Sequence, residues 1–149
     1  MKPVKTGQHW IVYHPIIIIF SFLLYRGTIT QSNFITFDKK CLVNVGNAFN
    51  HSIGLFTSPK NGIYNFSFSG NNYYPDRASI QVIKNENVEL LEFTATKIPY
   101  FDNHFFDFGF DWQLELKSGD NVKLRVKFGT ITSYEYAYII FKGKLITEY

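Results

Sequence analysis

The sequence predicts an all-β sandwich, and three observations carry that prediction. Phe106, Phe108, Phe110, Trp112, Leu114 and Leu116 alternate without a break with Asp107, Gly109, Asp111, Gln113, Glu115 and Lys117. Successive side chains of a strand point to opposite faces, so this period of two marks a half-buried strand. Pro59-Lys60-Asn61-Gly62 is turn chemistry: proline presets one dihedral and glycine accepts positive φ. After it, Tyr64, Phe66 and Phe68 alternate with Asn65, Ser67 and Ser69, which puts three rings on one strand face. Composition agrees, since 16 Phe, 10 Tyr and 2 Trp bring aromatic content to 19% and no long helical pattern appears.

In chain order, residues 1–15 fit no regular element. Residues 16–25, I-I-I-I-F-S-F-L-L-Y, have two readings. Lys2 and Lys5 before an apolar run are similar to a signal peptide, and the same run can form a first strand. A membrane span is not expected, because Trp10 to Tyr25 contains His14 and Pro15 and falls short of the ~20 residues a spanning helix needs. Gly27 to Asn33 reads as a polar loop. Ile35 to Phe37 and Leu42 to Val45 read as short strands. Ala78 to Ile83 sets Ile80 and Val82 on one face, and Lys84-Asn85-Glu86-Asn87 turns the chain into Val88 to Ala95. Ser118-Gly119-Asp120 turns it again, after which Val122, Leu124, Val126 and Phe128 share a face opposite Lys123, Arg125 and Lys127. The acidic face of the preceding strand and this basic face are expected to pair across one sheet. In the last strand, Tyr134 to Tyr149, Tyr136, Tyr138 and Ile140 alternate with Ala137, Ile139 and Phe141, so both faces are apolar, which predicts a strand covered on both sides. An exposed surface this hydrophobic predicts self-association.

A chain of 149 residues fits one domain and buries roughly 70% of its unfolded surface without staples. The net charge of +3 is mild, and no basic run interleaved with aromatics points to nucleic acid. Cys41 is alone, so it forms no intrachain disulfide. Its neighbours Leu42 and Val43 predict burial.

No constellation for catalysis is visible. His9, His14, His51 and His104 are isolated in sequence, whereas a jelly-roll metal enzyme needs two histidines close together on one strand. Asp102, Asp107 and Asp111 lack a calcium-loop pattern, and two of them belong to the polar strand face just described. No phosphate loop and no nucleophile elbow occur. Asn50-His51-Ser52 and Asn65-Phe66-Ser67 are glycosylation sequons; Asn50 falls in a loop, and Asn65 in a strand where it is expected to be blocked. Tyr73, Tyr74 and Arg77, with Tyr100 and Asp102, lie in aromatic polar loops of the kind that contact ligands. Rings packing over a sheet edge would give the same pattern.

The spacing of Phe37, Asn44, Phe49, Phe56, Gly62, Tyr64, Phe66 and Phe68 resembles the globular head of the C1q family. There is one residue too many between Phe37 and Asn44, and a β-bulge around Lys40 to Val43 is expected to absorb it. F-S-F-L at Phe20, S-G-D at Ser118 and F-K-G-K-L-I, with Gly143, are further landmarks. The resemblance covers residues 16–149 and implies a ten-stranded jelly-roll β-sandwich of the C1q/TNF-like type. It also decides residues 16–25 in favour of a strand. It implies a stemless, non-enzymatic, secreted recognition module that forms a homotrimer, binds a protein or glycan ligand, and serves innate-immune pattern recognition. No cofactor is expected; the resemblance allows calcium on the loops, but no motif here carries it over. A TNF-like trimeric signalling ligand, anchored or secreted through the N-terminal apolar segment, is the alternative on the same fold.

Overall fold

The computed structural model describes residues 3–6, 9–12, 17–24, 27–37, 41–73, 77–96, 105–133 and 139–149. Among them are fourteen strands and no helix. Pro3–Thr6 (β1) pairs with His9–Val12 (β2) in an antiparallel ribbon. This corrects the reading of residues 1–15 as irregular: four-residue strands are too short to display a period of two. Ile19–Leu24 (β3) and Thr28–Thr30 (β4) follow, then Cys41–Val45 (β5), Phe49–Asn50 (β6), Leu55–Thr57 (β7) and Gly62–Tyr73 (β8). The remainder is Arg77–Lys84 (β9), Val88–Thr96 (β10), Phe105–Leu116 (β11), Asn121–Phe128 (β12), Thr130–Thr132 (β13) and Ile139–Glu148 (β14).

Ten of these strands form two five-stranded sheets, as the jelly roll requires. The front sheet has the order β11-β8-β14-β3-β5 and the back sheet β10-β9-β12-β7-β6. β4, read from sequence as loop, pairs with β13 in a small separate ribbon. Residues 35–37, read as a strand, instead follow a single bridge between Phe34 and Arg125, with Ile35 N–H donating to Leu124 C=O and Phe37 N–H to His51 C=O, each at 2.8 Å. Ile35 and Phe37 are nevertheless buried.

The alternating rings become the core. Phe20, Phe22, Tyr64, Phe66, Phe68, Trp112 and Phe141 project inward from the front sheet, and Phe49, Phe56, Ile80, Val82, Val122, Leu124 and Val126 meet them from the back. Phe20 stacks on Phe49 with centroids 4.4 Å apart, and Phe56 stands edge-on to Phe66 at 5.2 Å. Such ring pairs add about 0.5–1.5 kcal/mol each beyond the area they bury. The sequence signature is therefore structural: Phe37, Phe49, Phe56, Tyr64, Phe66 and Phe68 all lie in this core. Tyr64 also keeps its hydroxyl satisfied. It donates to Lys60 C=O at 2.7 Å and accepts from Lys60 N–H at 3.3 Å, pinning the Pro59–Gly62 turn.

The expected bulge is present. Ser21 pairs with Val43 and Phe22 with Cys41, so Leu42 is the extra residue. Because the bulge turns it away from the ladder, Leu42 is 61% exposed. The burial expected of Cys41 falls on a side chain outside the described ones. A second bulge, between Val126 and Phe128, explains why Phe128 is 44% exposed although the pattern Val122, Leu124, Val126 aimed it inward. One added residue reverses the face of everything beyond it.

The Ser118-Gly119-Asp120 turn is clamped by a carboxylate. Asp120 accepts from Asn85 Nδ2 at 3.0 Å and from Lys117 N–H at 2.9 Å, and Lys84 Nζ lies 3.5 Å away. The Asn85 bond first, then the Lys117 amide and the Lys84 charge, hold this carboxyl below its ordinary pKa.

Gly143 lies on β14 between Phe20 of β3 and Phe66 of β8. A Cβ there would sit 2.6 Å from Phe20 Cε1 and 2.9 Å from Phe66 Cδ1. Both rings are fixed in the core, so neither can yield cheaply. Gly143→Ala should destabilise the domain by about 1–3 kcal/mol, the usual cost of overpacking. A chemical denaturation midpoint equal to wild type would show that the rings move aside.

Candidate functional site

The structure divides the sequence-predicted loop candidates. Tyr74, Tyr100 and Asp102 lie outside the described residues. Tyr73 closes β8 opposite Phe105, and Arg77 opens β9 opposite Thr96. The guanidinium of Arg77 lies 4.6 Å from the centroid of the Phe128 ring. Sequence reasoning missed this pair because it depends on the bulge that turns Phe128 outward. Asn50 is exposed on β6, and its Oδ1 accepts from the hydroxyl of Ser52, the third sequon residue, at 2.8 Å. Asn65 lies mid-strand between Gln113 and Lys144. Asn44 reaches Phe49 C=O from Nδ2 at 3.5 Å across the turn that follows β5.

The expected pairing of the acidic and basic strand faces does not occur. β11 belongs to the front sheet and β12 to the back, so their charges cover opposite outer surfaces of the sandwich. On the back surface the polar groups satisfy one another. Lys127 Nζ meets Glu92 Oε2 at 3.0 Å, Arg125 Nε donates to Gln81 Oε1 at 2.9 Å, and Ser79 shares a 2.6 Å hydroxyl bond with Thr94. Lys123 Nζ lies 3.9 Å from the centroid of the Phe34 ring.

On the front surface Asn71 Nδ2 donates to Asp107 Oδ1 at 2.6 Å, but farther along the sheet polar side chains stand without partners. Sheet register aligns Asp111, Ser67, Lys142 and Ser21 in one row, and Gln113, Asn65, Lys144 and Ile19 in the next. Small serines stand between long charged neighbours, which leaves a cleft of about 380 Å³ lined by Ser21, Asn65, Ser67, Asp111, Lys142 and Lys144. None of these six side chains has a hydrogen bond or ion pair with another described residue, although Ser21, Asn65 and Ser67 are half-buried. Beside the cleft, Ile17, Val45 and Ile146 are exposed at 61%, 46% and 48%, where β3, β5 and β14 run side by side. Among the described residues, no three His, Cys, Asp or Glu side chains come together as metal ligands. His51 packs on Phe22 and its Nδ1 lies 2.9 Å from Phe37 C=O.

The family model for the C1q domain matches residues 20–146, a span that includes every signature position from Phe37 to Gly143. This chain belongs to the C1q domain family. Its fold is shared with solved structures at low identity. The globular domain of zebrafish complement 1qA superimposes with a TM-score of 0.70 at 20% identity, covering 89% of this chain and 99% of that one. Eiger TNF from S. frugiperda gives 0.62 at 12% identity, covering 91% and 96%. Murine APRIL at pH 5.0 gives 0.63 at 9% identity, covering 87% and 99%. No curated protein matches the chain significantly. The likeness to the two TNF-type structures is therefore one of jelly-roll architecture, while the sequence signature is that of a C1q domain.

Proposed function

We propose that this C1q domain is a non-enzymatic, extracellular recognition module of the innate-immune type, which assembles as a homotrimer and binds protein or glycan ligands. The observation that carries the assembly is the exposed apolar cluster of Ile17, Val45 and Ile146 on the front sheet. A contiguous apolar surface beside a polar rim marks a protein contact. β14 contributes less to it than its sequence pattern indicated. Residues 134–138 lie outside the described ones, and within β14 itself the outward-facing apolar groups are Ile140, half-buried, and Ile146, with Lys142 and Lys144 between them. Family membership supports the recognition role, and the TNF-like signalling alternative shares the fold but not the family match. Among the described residues no helix is long and apolar enough to cross a membrane.

Sedimentation equilibrium at micromolar concentration tests the assembly. A mass three times the 17.4 kDa chain is expected, and a mass of 17.4 kDa would refute it. Binding to a panel of glycans and microbial surfaces tests the recognition role.

A further inference from the structure

We infer that Asn50 is a modification site, the acceptor of an N-linked oligosaccharide on its side-chain amide, and that Asn65 is not. This rests on the extracellular reading above, because the sugar donor is met on the secretory route, but not on any ligand. The chain offers two sequons, Asn50-His51-Ser52 and Asn65-Phe66-Ser67, and the fold places them differently. Asn50 ends the two-residue strand β6 and leads into a turn, where both it and Ser52 are exposed. β6 is the outer strand of the back sheet, and among the described strands it pairs only with β7. Asn65 stands within β8, between β11 and β14, and the middle residue of its sequon, Phe66, is fully buried.

The first sequon presents its amide nitrogen. Ser52 Oγ donates to Asn50 Oδ1 at 2.8 Å, and Ser52 N–H donates to the same oxygen at 3.2 Å. This Asx turn holds the carboxamide by its oxygen and leaves Nδ2 without a bond to any described residue. Both bonds span only two residues, so they form without the rest of the sheet. In the transfer, Nδ2 attacks the anomeric carbon of an oligosaccharide carried on a lipid diphosphate. The new C–N bond forms as the bond from that carbon to the diphosphate oxygen breaks. The lipid diphosphate leaves with the electron pair, and Nδ2 gives one proton to the transferring enzyme.

Direction separates the two asparagines further. Phe49 points into the core, stacked on Phe20, so the next residue, Asn50, points away from it on the back of the sandwich. Asn65, Lys144, Ile19 and Val45 form one cross-strand row on the front sheet. An oligosaccharide on Asn65 would therefore stand on the face that carries the apolar cluster of Ile17, Val45 and Ile146. One on Asn50 projects from the opposite face and leaves that cluster free to assemble.

The test is peptide mass mapping of the full chain, exported from eukaryotic cells behind a secretion leader, before and after an amidase that releases N-linked glycans and leaves aspartate where each one stood. Asn50 should be converted to aspartate and Asn65 should not. Asn50→Gln and Ser52→Ala should each abolish the modification. Ser52→Thr, which keeps the hydroxyl, should retain it, and Asn65→Gln should leave it unaltered. Sedimentation should give the same oligomeric state before and after release. The proposal is overturned if Asn50 of the exported chain is unmodified, if Asn65 carries the glycan, or if release of the glycan changes the oligomeric state. If Asn50 is unmodified while the chain captures microbial surfaces, the site falls and the recognition reading stands. If Asn50 is modified but no surface or glycan is captured, the site stands and the recognition reading falls.

Discussion

A chain that begins at Ser32 should not fold cooperatively. The deletion removes β3, which is hydrogen-bonded on both sides, to β14 and to β5. It also removes Phe20, Phe22 and Leu24 from the core, and with Phe20 the ring that packs against both Phe49 and Phe56. Each lost aromatic side chain costs about 3–5 kcal/mol when truncated alone and a leucine about 2–5, so the three together cost about as much as the 5–15 kcal/mol that a typical domain has in reserve, before the lost strand pairing is counted. The unpaired edges of β14 and β5 would then seek other strands. Circular dichroism melting should show no sigmoidal transition, and the protein should aggregate. A soluble chain with wild-type stability would mean that β3 is dispensable and that the strand assignment of residues 16–25 is wrong.

Phe66→Ala should cost about 3–5 kcal/mol, a large part of the total stability. Phe66 is fully buried at the centre of the ring cluster, touching Phe20, Phe56, Tyr64, Trp112 and Phe141. Its loss opens a hole bordered by other flat rings, which cannot all turn to fill it. Val88→Ala is the matched control, since Val88 is exposed on β10 and should change stability by only about 0.5 kcal/mol. Urea midpoints of the two variants decide the matter. If they shift equally, the aromatic face of β8 is not core.

Most of the fold was legible because its strands alternate cleanly. Tyr64, Phe66 and Phe68, and likewise Trp112 and Leu116, point inward as the period of two requires. Even the bulge at Leu42 was readable, since the signature carried one residue too many. What was illegible is what strand pairing decides. No local pattern says that β11 and β12, joined by the four residues 117–120, belong to different sheets, so their opposite charges read as partners. The bulge that exposes Phe128 leaves no mark in the residues around it. The cleft was hidden for the same reason. Asp111, Ser67, Lys142 and Ser21 come from four separate strands and meet only through register, although the alternation of β11 and β14 had already placed their charges on an outer face.

The pairing of β3 with β14 also sets a timetable for biosynthesis. Ile19 and its partner Lys144 are separated by 125 positions, which take roughly 6–25 s to translate at about 5–20 residues per second. Until then the hydrophobic run around Phe20 and Phe22 has no neighbour on the β14 side, and the front sheet lacks its middle strand. The nascent domain therefore completes its core only as the last strand leaves the ribosome, and during that interval the exposed segment is a natural target for a chaperone.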